Sequence, residues 1–308
     1  AWAREEPGVA GFHRTLWRLN EGAPVEVRGI AATQDGFLWV GSYTGLYRFD
    51  GIRFERFEPP WGQELPSNAI SALTTEGPNS LWLAASGGHV VKLTGTRVTE
   101  QHELPDGVGH IFRLLIRGGQ RYAITSGGLY RGDARGWRLE TVRQGDVPLR
   151  LYDAALQPDG TLWLSSTEGF FTRGPAATTF IHVDTAPAGA GKFSLSQDGH
   201  IWYCGESGGL RRFSQQSLTV ASNPDFRCYQ FFIDTDGMAW VEGSDGSGRV
   251  DPNVALSDRD GKAKAMLTES AFGDSTVTRS IAQDVEGSIW VGTSNGLSQF
   301  HAYRLGRP

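Results

Sequence analysis

Gly36–Gly41 reads GFLWVG, and Gly45–Gly51 follows it as GLYRFDG. A similar sequence recurs towards the other end of the chain, where Gly287–Gly292 reads GSIWVG and Gly296–Phe300 reads GLSQF. An apolar triplet with an aromatic centre and flanking glycines is typical of a short buried strand between turns. The chain therefore contains an internal repeat, and the number of copies decides the fold.

Five weaker copies lie between these two, and each has an aromatic residue at the centre of a short apolar segment. The seven central aromatics are Trp39, Trp82, Tyr122, Trp163, Trp202, Trp240 and Trp290. Their spacing averages about 42 residues, which lies in the ~40–45 range of four-stranded propeller blades. The segments also lack the 3.6-residue apolar period that helical repeats need. The spacing predicts an all-β fold, with residues 1–308 forming one seven-bladed β-propeller of four-stranded antiparallel blades.

The first repeat predicts how each blade is built. Its inner strand should end at the Asp35-Gly36 turn, and the second strand should place Trp39 on one face, where it fills the space between neighbouring blades. Gly41 beside it should allow a close approach of the next blade. Two further strands, Leu46–Phe49 and Ile52–Phe57, complete the meander.

The two ends of the chain predict how the ring closes. Thr15–Asn20 resembles the fourth-strand segment Arg53–Phe57, whereas little chain follows the third strand of the last repeat. We expect the N-terminal strand to complete the seventh blade. The alternative is that the tail Ala302–Leu305 supplies that strand or leads to a module outside this chain.

Composition limits the function. The 308 residues carry 29 Lys and Arg against 34 Asp and Glu, a formal charge of −5, which argues against a partner that is a nucleic acid. There is no apolar run near the ~18 residues of a membrane span. Cys204 and Cys228 have neither the C-x-x-C spacing of a zinc site nor the number for a disulfide scaffold, so we favour two buried thiols over a single bridge. The histidines suggest no metal site, and no cofactor is predicted.

Three short motifs resemble catalytic or binding sequences but fit turns better. Gly205–Gly209 and Gly292–Gly296 match G-x-S-x-G, yet both fall between a second and a third strand, where no nucleophile elbow forms. Asp234–Gly237 resembles part of a calcium loop without its remaining ligands. These motifs therefore predict no catalytic residue.

The residues quoted above resemble the two-component regulator propeller repeat, whose pattern runs Asp-Gly-x-aliphatic-Trp-aliphatic-Gly-Thr and then Gly-Leu-x-Arg-Phe-Asp-Gly-x-x-Phe. Asp35–Phe54 matches it nearly throughout, and Glu286–Phe300 is a second close match. The resemblance implies the periplasmic sensor part of a bacterial receptor. Such receptors continue through further modules to a histidine kinase or a diguanylate cyclase, so the implied partners are those downstream modules and a second receptor copy in a dimer. The motif is structural and implies no ligand residues.

Topology predicts a site where motifs do not. Inner strands begin on the face where second strands end, and aligning the repeats places these starts near Val27, Ile70, His110, Leu151, Ala190, Cys228 and Thr278. Basic and aromatic residues gather at this face, and the candidate ligand-binding residues are Arg28, Tyr43, Arg150, Tyr152, Lys192, Arg227, Tyr229 and Arg279. In an acidic chain they predict a partly basic funnel for a small-molecule or oligosaccharide ligand, carbohydrate or anionic. The alternative is that they are ordinary solvated residues at a channel mouth.

The favoured function is non-catalytic ligand sensing, with two rivals. A propeller lyase of the streptogramin or polysaccharide type would need a histidine and an acid together on the funnel face. His110 is the one histidine near an inner strand start, with Asp153 on the next blade as its nearest candidate acid. The other rival is a protein-interaction scaffold. Finally, the long interval between Trp240 and Trp290 predicts an extended, solvated and mobile connector over Asp251–Ala263.

Overall fold

The structure, a computed structural model, describes residues 4–7, 9–105, 108–144, 147–184, 189–213, 220–268, 271–273 and 277–303. Seven antiparallel sheets stand radially, and each inner strand packs beside the inner strands of both neighbours, including the last blade against the first. The prediction of a seven-bladed, all-β propeller is confirmed.

The first four blades have four strands each, in chain order from the axis outwards. They are Val27–Ala32, Leu38–Ser42, Gly45–Phe49 and Phe54–Arg56 in blade 1; Ile70–Thr75, Ser80–Ala85, His89–Thr94 and Arg97–Glu103 in blade 2; Ile111–Arg117, Gln120–Thr125, Gly128–Asp133 and Gly136–Glu140 in blade 3; Leu151–Leu156, Leu162–Ser166, Gly169–Arg173 and Ile181–Asp184 in blade 4. A two-stranded hairpin, Arg143–Gln144 with Val147–Pro148, lies between blades 3 and 4.

The last three blades differ in strand number. Their strands are Gly191–Leu195, Ile201–Gly205, Gly209–Phe213 and Val220–Asn223 in blade 5; Gln230–Ile233, Ala239–Gly243 and Gly246–Val250 in blade 6; Thr278–Gln283, Ile289–Thr293, Gly296–Ala302, Phe12–Arg18 and Arg4–Pro7 in blade 7. Blade 6 has a single bridge, Ser247 to Thr268, at the position of a fourth strand. The helices are short, and they are Leu19–Glu21 (3-10), Pro252–Ser257 (α) and Lys264–Met266 (3-10).

The core consists of seven apolar clusters, one between each pair of adjacent blades. Each cluster contains the central aromatic of one blade packed against the next, so that Trp39, for example, lies against Ile70 and Leu83 of blade 2. Gly41 permits this approach, because a Cβ there would lie 2.6 Å from the Ile70 Cγ2. The predicted roles of Trp39 and Gly41 are confirmed.

A hydrogen bond fixes the indole in five blades. The acceptor lies six residues before the tryptophan, where the inner strand has just ended, and the pairs are Trp39 with Thr33 (3.1 Å), Trp82 with Glu76 (2.9 Å), Trp163 with Gln157 (2.7 Å), Trp240 with Asp234 (2.8 Å) and Trp290 with Asp284 (2.7 Å). Each satisfies a buried N–H that would otherwise destabilise the core. Asp234, which lies in the segment that resembles part of a calcium loop, is one of these five acceptors.

The N-terminal strand closes the ring, as predicted, although its bounds differ. Phe12–Arg18 pairs antiparallel with Gly296–Ala302, from Phe12 opposite Ala302 to Arg18 opposite Gly296. The prediction of Thr15–Asn20 placed this strand too late, because the chain turns into a 3-10 helix at Leu19. Residues 304 and 305 of the alternative closing tail lie outside the described residues.

Two predictions were wrong, the second only in part. Cys204 and Cys228 form a disulfide that joins the second strand of blade 5 to the start of blade 6, because the repeat alignment brings their Cα atoms to 5.7 Å. The segment from Asp251 to Ala263 is not extended throughout, because Asp251 caps the helix Pro252–Ser257 and Ala255 and Ala263 are buried against blades 5 and 6. Asp260 and Lys262 are solvated as predicted, with side chains 76% and 81% exposed, and the mobility of the segment stays a prediction.

Candidate functional site

Five inner strands carry a β-bulge near the face where they begin. The strand register shifts by one residue at this point in blades 1, 2, 3, 4 and 7, and the extra residues are Arg28, Ser71, Phe112, Tyr152 and Arg279. A bulged residue is released from the strand pairing, and its side chain is re-aimed. Three predicted site residues, Arg28, Tyr152 and Arg279, owe their positions to these bulges.

The next residues along the inner strands form one layer around the axis, since each pairs with the residue two positions after a central aromatic. This inner layer consists of Gly29, Ala72, Arg113, Asp153, Lys192, Gln230 and Ser280. It is lopsided, because blades 3 to 6 contribute the polar and charged members and blades 7, 1 and 2 contribute only small ones. The bulged residues Arg28 and Arg279 therefore have small inner-layer neighbours, Gly29 and Ser280.

Asp153 links three blades within this layer. Its carboxylate is fully buried, and it accepts hydrogen bonds from Arg113 Nη1 at 2.8 and 3.0 Å and from the backbone N–H of Phe193 at 2.8 Å. Both charges of the Arg113–Asp153 pair are thus neutralised locally. Asp153 consequently holds blades 3, 4 and 5 together and is not an acid available to His110.

Lys192 lies beside this pair but makes no ion pair of its own. Burial lowers the pKa of its amine; the nearby Asp153 opposes the shift and Arg113 adds to it. Among the residues that the structure describes, neither Lys192 nor Arg279 has a hydrogen-bond or ion-pair partner. Two unpaired cations thus face the axis from blades 5 and 7.

A cavity of about 650 Å³ opens at the face between blades 4 and 7. It brings together four of the eight predicted residues, Tyr152, Lys192, Tyr229 and Arg279, and we call it the mouth cavity. Tyr229 is 44% exposed, so part of its ring is open to a ligand.

A second space, the channel, has about 430 Å³ and lies along the axis. It shares Lys192, Gln230 and Arg279 with the mouth cavity. The two spaces therefore meet at these three side chains. A group bound in one space would contact side chains that also line the other.

The remaining predicted residues divide into two sets. The Arg28 guanidinium lies 4.1 Å from the ring centre of Tyr43, and Arg28 lines the channel, whereas Tyr43 stays on the rim, 44% exposed. Arg150 and Arg227 are exposed and line neither space. Arg227 turns back towards its own loop, where Nε donates to the Pro224 carbonyl at 3.4 Å.

Sequence reasoning missed the acidic and amide groups of the site. Glu242, which lines the mouth cavity, has a raised pKa because it is half-buried, and the neighbouring Thr278 opposes the shift. Arg113 and Gln230 were missed as well, although continuing the repeat alignment by one position would have found all members of the inner layer. The bulges had no sequence signal.

The described residues hold no group of three or more histidine, cysteine or acidic side chains that could bind a metal. His110 lies at the face, and its pKa is lowered by burial and by the positive charge of Arg28. Within the same residues, no helix is long and apolar enough to cross a membrane.

The model of the family described as two component regulator propeller matches residues 271–295, the start of the seventh blade. One repeat of this chain, at the start of blade 7, is thus similar to that family. No curated protein matches the sequence.

Solved propellers resemble this chain in fold. A streptogramin B lyase superposes with a TM-score of 0.72 at 14% identity, over 97% of this chain and 100% of that one. The extracellular domain of BT3049 from B. thetaiotaomicron, assigned as a hybrid two-component system, gives a TM-score of 0.70 at 18% identity, over 96% of this chain and 42% of that one. The chain thus spans about two fifths of the B. thetaiotaomicron domain. At these identities the likeness shows the fold alone.

Proposed function

We propose that this propeller is a ligand-sensing, non-catalytic domain of a bacterial signalling receptor, acting in the periplasm and binding an acidic oligosaccharide in the mouth cavity. The family and the extracellular two-component domains of the same fold support the sensing role. Receptor modules outside this chain would carry the signal, and a receptor dimer would couple two such domains.

One observation carries the choice of ligand: Lys192 and Arg279, both unpaired, line the same cavity as Tyr152 and Tyr229. Unpaired cations in a partly enclosed space attract anionic groups, because the low-dielectric walls focus their field. The fork of an arginine donates two charge-assisted hydrogen bonds to a carboxylate or a sulfate. Tyrosine adds an apolar ring face with a polar tip, which suits a sugar ring that is apolar on one side.

Calorimetry with uronic-acid-containing and sulfated oligosaccharides, each against its neutral counterpart, tests this proposal. We expect the acidic sugars to bind and the neutral ones to bind at least tenfold more weakly. Arg279→Gln should weaken binding of the acidic sugar by about 1.5–3 kcal/mol, the scale of a hydrogen bond to a charged group. Tyr229→Ala should weaken both kinds of sugar, because the ring contact does not depend on charge.

Arg131→Gln is the matched control, since Arg131 is exposed on a third strand of blade 3 and lines neither space. Arg150→Gln and Arg227→Gln should matter only for ligands long enough to extend beyond the cavity. Equal binding of acidic and neutral sugars would contradict the proposal. Product formation in the same samples would favour the lyase instead.

A further inference from the structure

The channel wall carries an excess of positive charge. Four cationic side chains line it, Arg28, Arg113, Lys192 and Arg279, and no carboxylate of the described residues does. The half-buried Glu242 lines the adjoining mouth cavity, and two of the four cations have an acid beside them. Asp153 is fully buried against Arg113, and Glu26 reaches Arg28 only at 3.5 Å, with its own side chain 41% exposed. A chain of net charge −5 thus has a positive axis.

Three of these cations retain unused hydrogen-bond donors. The Nε of Arg28 is buried and has no partner, and Lys192 and Arg279 have none among the described residues. A buried donor without a partner destabilises the folded state. The Arg28 Nε is therefore expected to have an acceptor in solution, whereas Arg279 is exposed and is accessible to water or to a ligand.

These side chains come from separate blades and line the same channel. Arg28 and Arg279 stand on the adjacent blades 1 and 7, above the small Gly29 and Ser280 of the inner layer, and Lys192 faces them from blade 5. Gln230 of blade 6 adds an amide between Lys192 and Arg279. An acceptor with oxygens directed to several sides suits cations that line a channel from different blades better than one planar carboxylate does.

We infer that the channel binds a small tetrahedral oxyanion, inorganic phosphate or sulfate, held by Arg28, Lys192 and Arg279. Two negative charges would balance the three cations once Glu26 is counted against Arg28. Phosphate and sulfate offer acceptors in all directions to the two arginine forks and to the ammonium. Burial lowers the pKa of Lys192, and an oxyanion bound beside its amine would oppose that shift by favouring the ammonium form. This site adjoins the proposed oligosaccharide site and shares Lys192 and Arg279 with it, whereas Arg28 lines the channel alone.

Titration calorimetry with sodium phosphate and sodium sulfate, at ionic strength held constant with sodium chloride, tests the inference. We expect saturable binding of one oxyanion per chain and a rise in melting temperature that follows its concentration. Arg28→Gln should weaken this binding about tenfold to a hundredfold, as expected for one charge-assisted hydrogen bond. Arg131→Gln, the exposed control, should leave it unchanged.

A pair of variants separates this site from the mouth cavity. Arg28 lines only the channel and Tyr229 only the mouth cavity, so Tyr229→Ala should leave phosphate affinity unchanged. If Arg28→Gln melts before measurement, the exposed Arg279→Gln takes its place with the same expected loss. Binding no tighter than that of chloride, or binding indifferent to both arginine variants, would overturn the oxyanion site. Oligosaccharide binding that depends on Tyr229, without any effect of phosphate, would retain the proposed function and reject this inference.

Discussion

The two ends of the inner strands differ although they belong to the same repeats. At the end where each strand stops, one contact recurs around the ring: a side chain six residues before the tryptophan accepts the indole hydrogen bond, in five blades. At the end where each strand starts, five bulges release residues as different as Arg28, Ser71 and Phe112. The regular end stabilises the propeller, and the irregular end forms the candidate site.

Removing residues 1–18 should have the largest effect, because it opens the ring that holds both ends in place. The deletion loses the buried Phe12 and Leu16 and the half-buried Trp17, which together contribute about 5 kcal/mol or more. Chemical denaturation should show a cooperative loss of this size. Removing only residues 1–8 is the control, since the four inner strands of blade 7 remain paired, and an equal loss there would contradict the role of Phe12–Arg18.

Trp163→Phe should destabilise the fold at the end where the inner strands stop, without affecting the candidate site. It leaves the buried amide oxygen of Gln157 without its 2.7 Å donor, and we expect unfolding to become easier by about 2–3 kcal/mol. Oligosaccharide affinity should stay within twofold. Trp61→Phe is the control, because Trp61 is fully exposed and its change should be within about 0.5 kcal/mol. A large loss of ligand affinity in Trp163→Phe would show that the two ends are not separable.

Glu76→Gln should have the smallest effect, and one that depends on pH. In blade 2 burial raises the pKa of Glu76, but hydrogen bonds from Trp82 and Lys92 and nearby positive charges outweigh it and lower the pKa overall. A carboxyl whose pKa is lowered in the folded state stabilises above its unfolded pKa and loses that contribution as the pH falls. The glutamine keeps the indole acceptor, as Gln157 does in blade 4.

The melting temperature of Glu76→Gln should therefore be slightly lower than that of the unaltered protein at neutral pH, and the difference should disappear between about pH 5 and pH 3, so that the variant falls less steeply. Glu58→Gln, at a position outside this network, should keep the original slope. If the melting temperatures of the unaltered protein and Glu76→Gln fell by the same amount between pH 5 and pH 3, the assigned pKa shift would be contradicted.

The difference between the two ends of the inner strands also explains which features the sequence could predict. Blade number, the place of Trp39 and the closing strand all followed from spacing, because each rests on apolar residues that recur with the repeat. Arg28, Tyr152 and Arg279 were found for their charge or ring, but the bulges that aim them depend on pairing between strands and leave no residue pattern. Asp153 was noticed only as a lone acid, since its role depends on Arg113 of another blade. Glu242 was missed because its neighbour Thr278 belongs to the next blade.

The cysteine error has the same origin. Cys204 and Cys228 look unrelated along the chain, and only the alignment of blade 5 against blade 6 brings them together. The bond lies beside the candidate site, since Cys204 is paired opposite Lys192 and Cys228 precedes Tyr229. It thus restrains the two sides of the mouth cavity relative to each other.

Closure by Phe12–Arg18 also has a kinetic consequence. The pairing of Phe12 with Ala302 is among the most distant in the chain, and such contacts form late because loop closure must precede them. Six blades can assemble from neighbouring segments while the seventh still presents an unpaired edge. During that interval the nascent ring is open to pairing with a second chain, and the arrival of this strand ends the exposure.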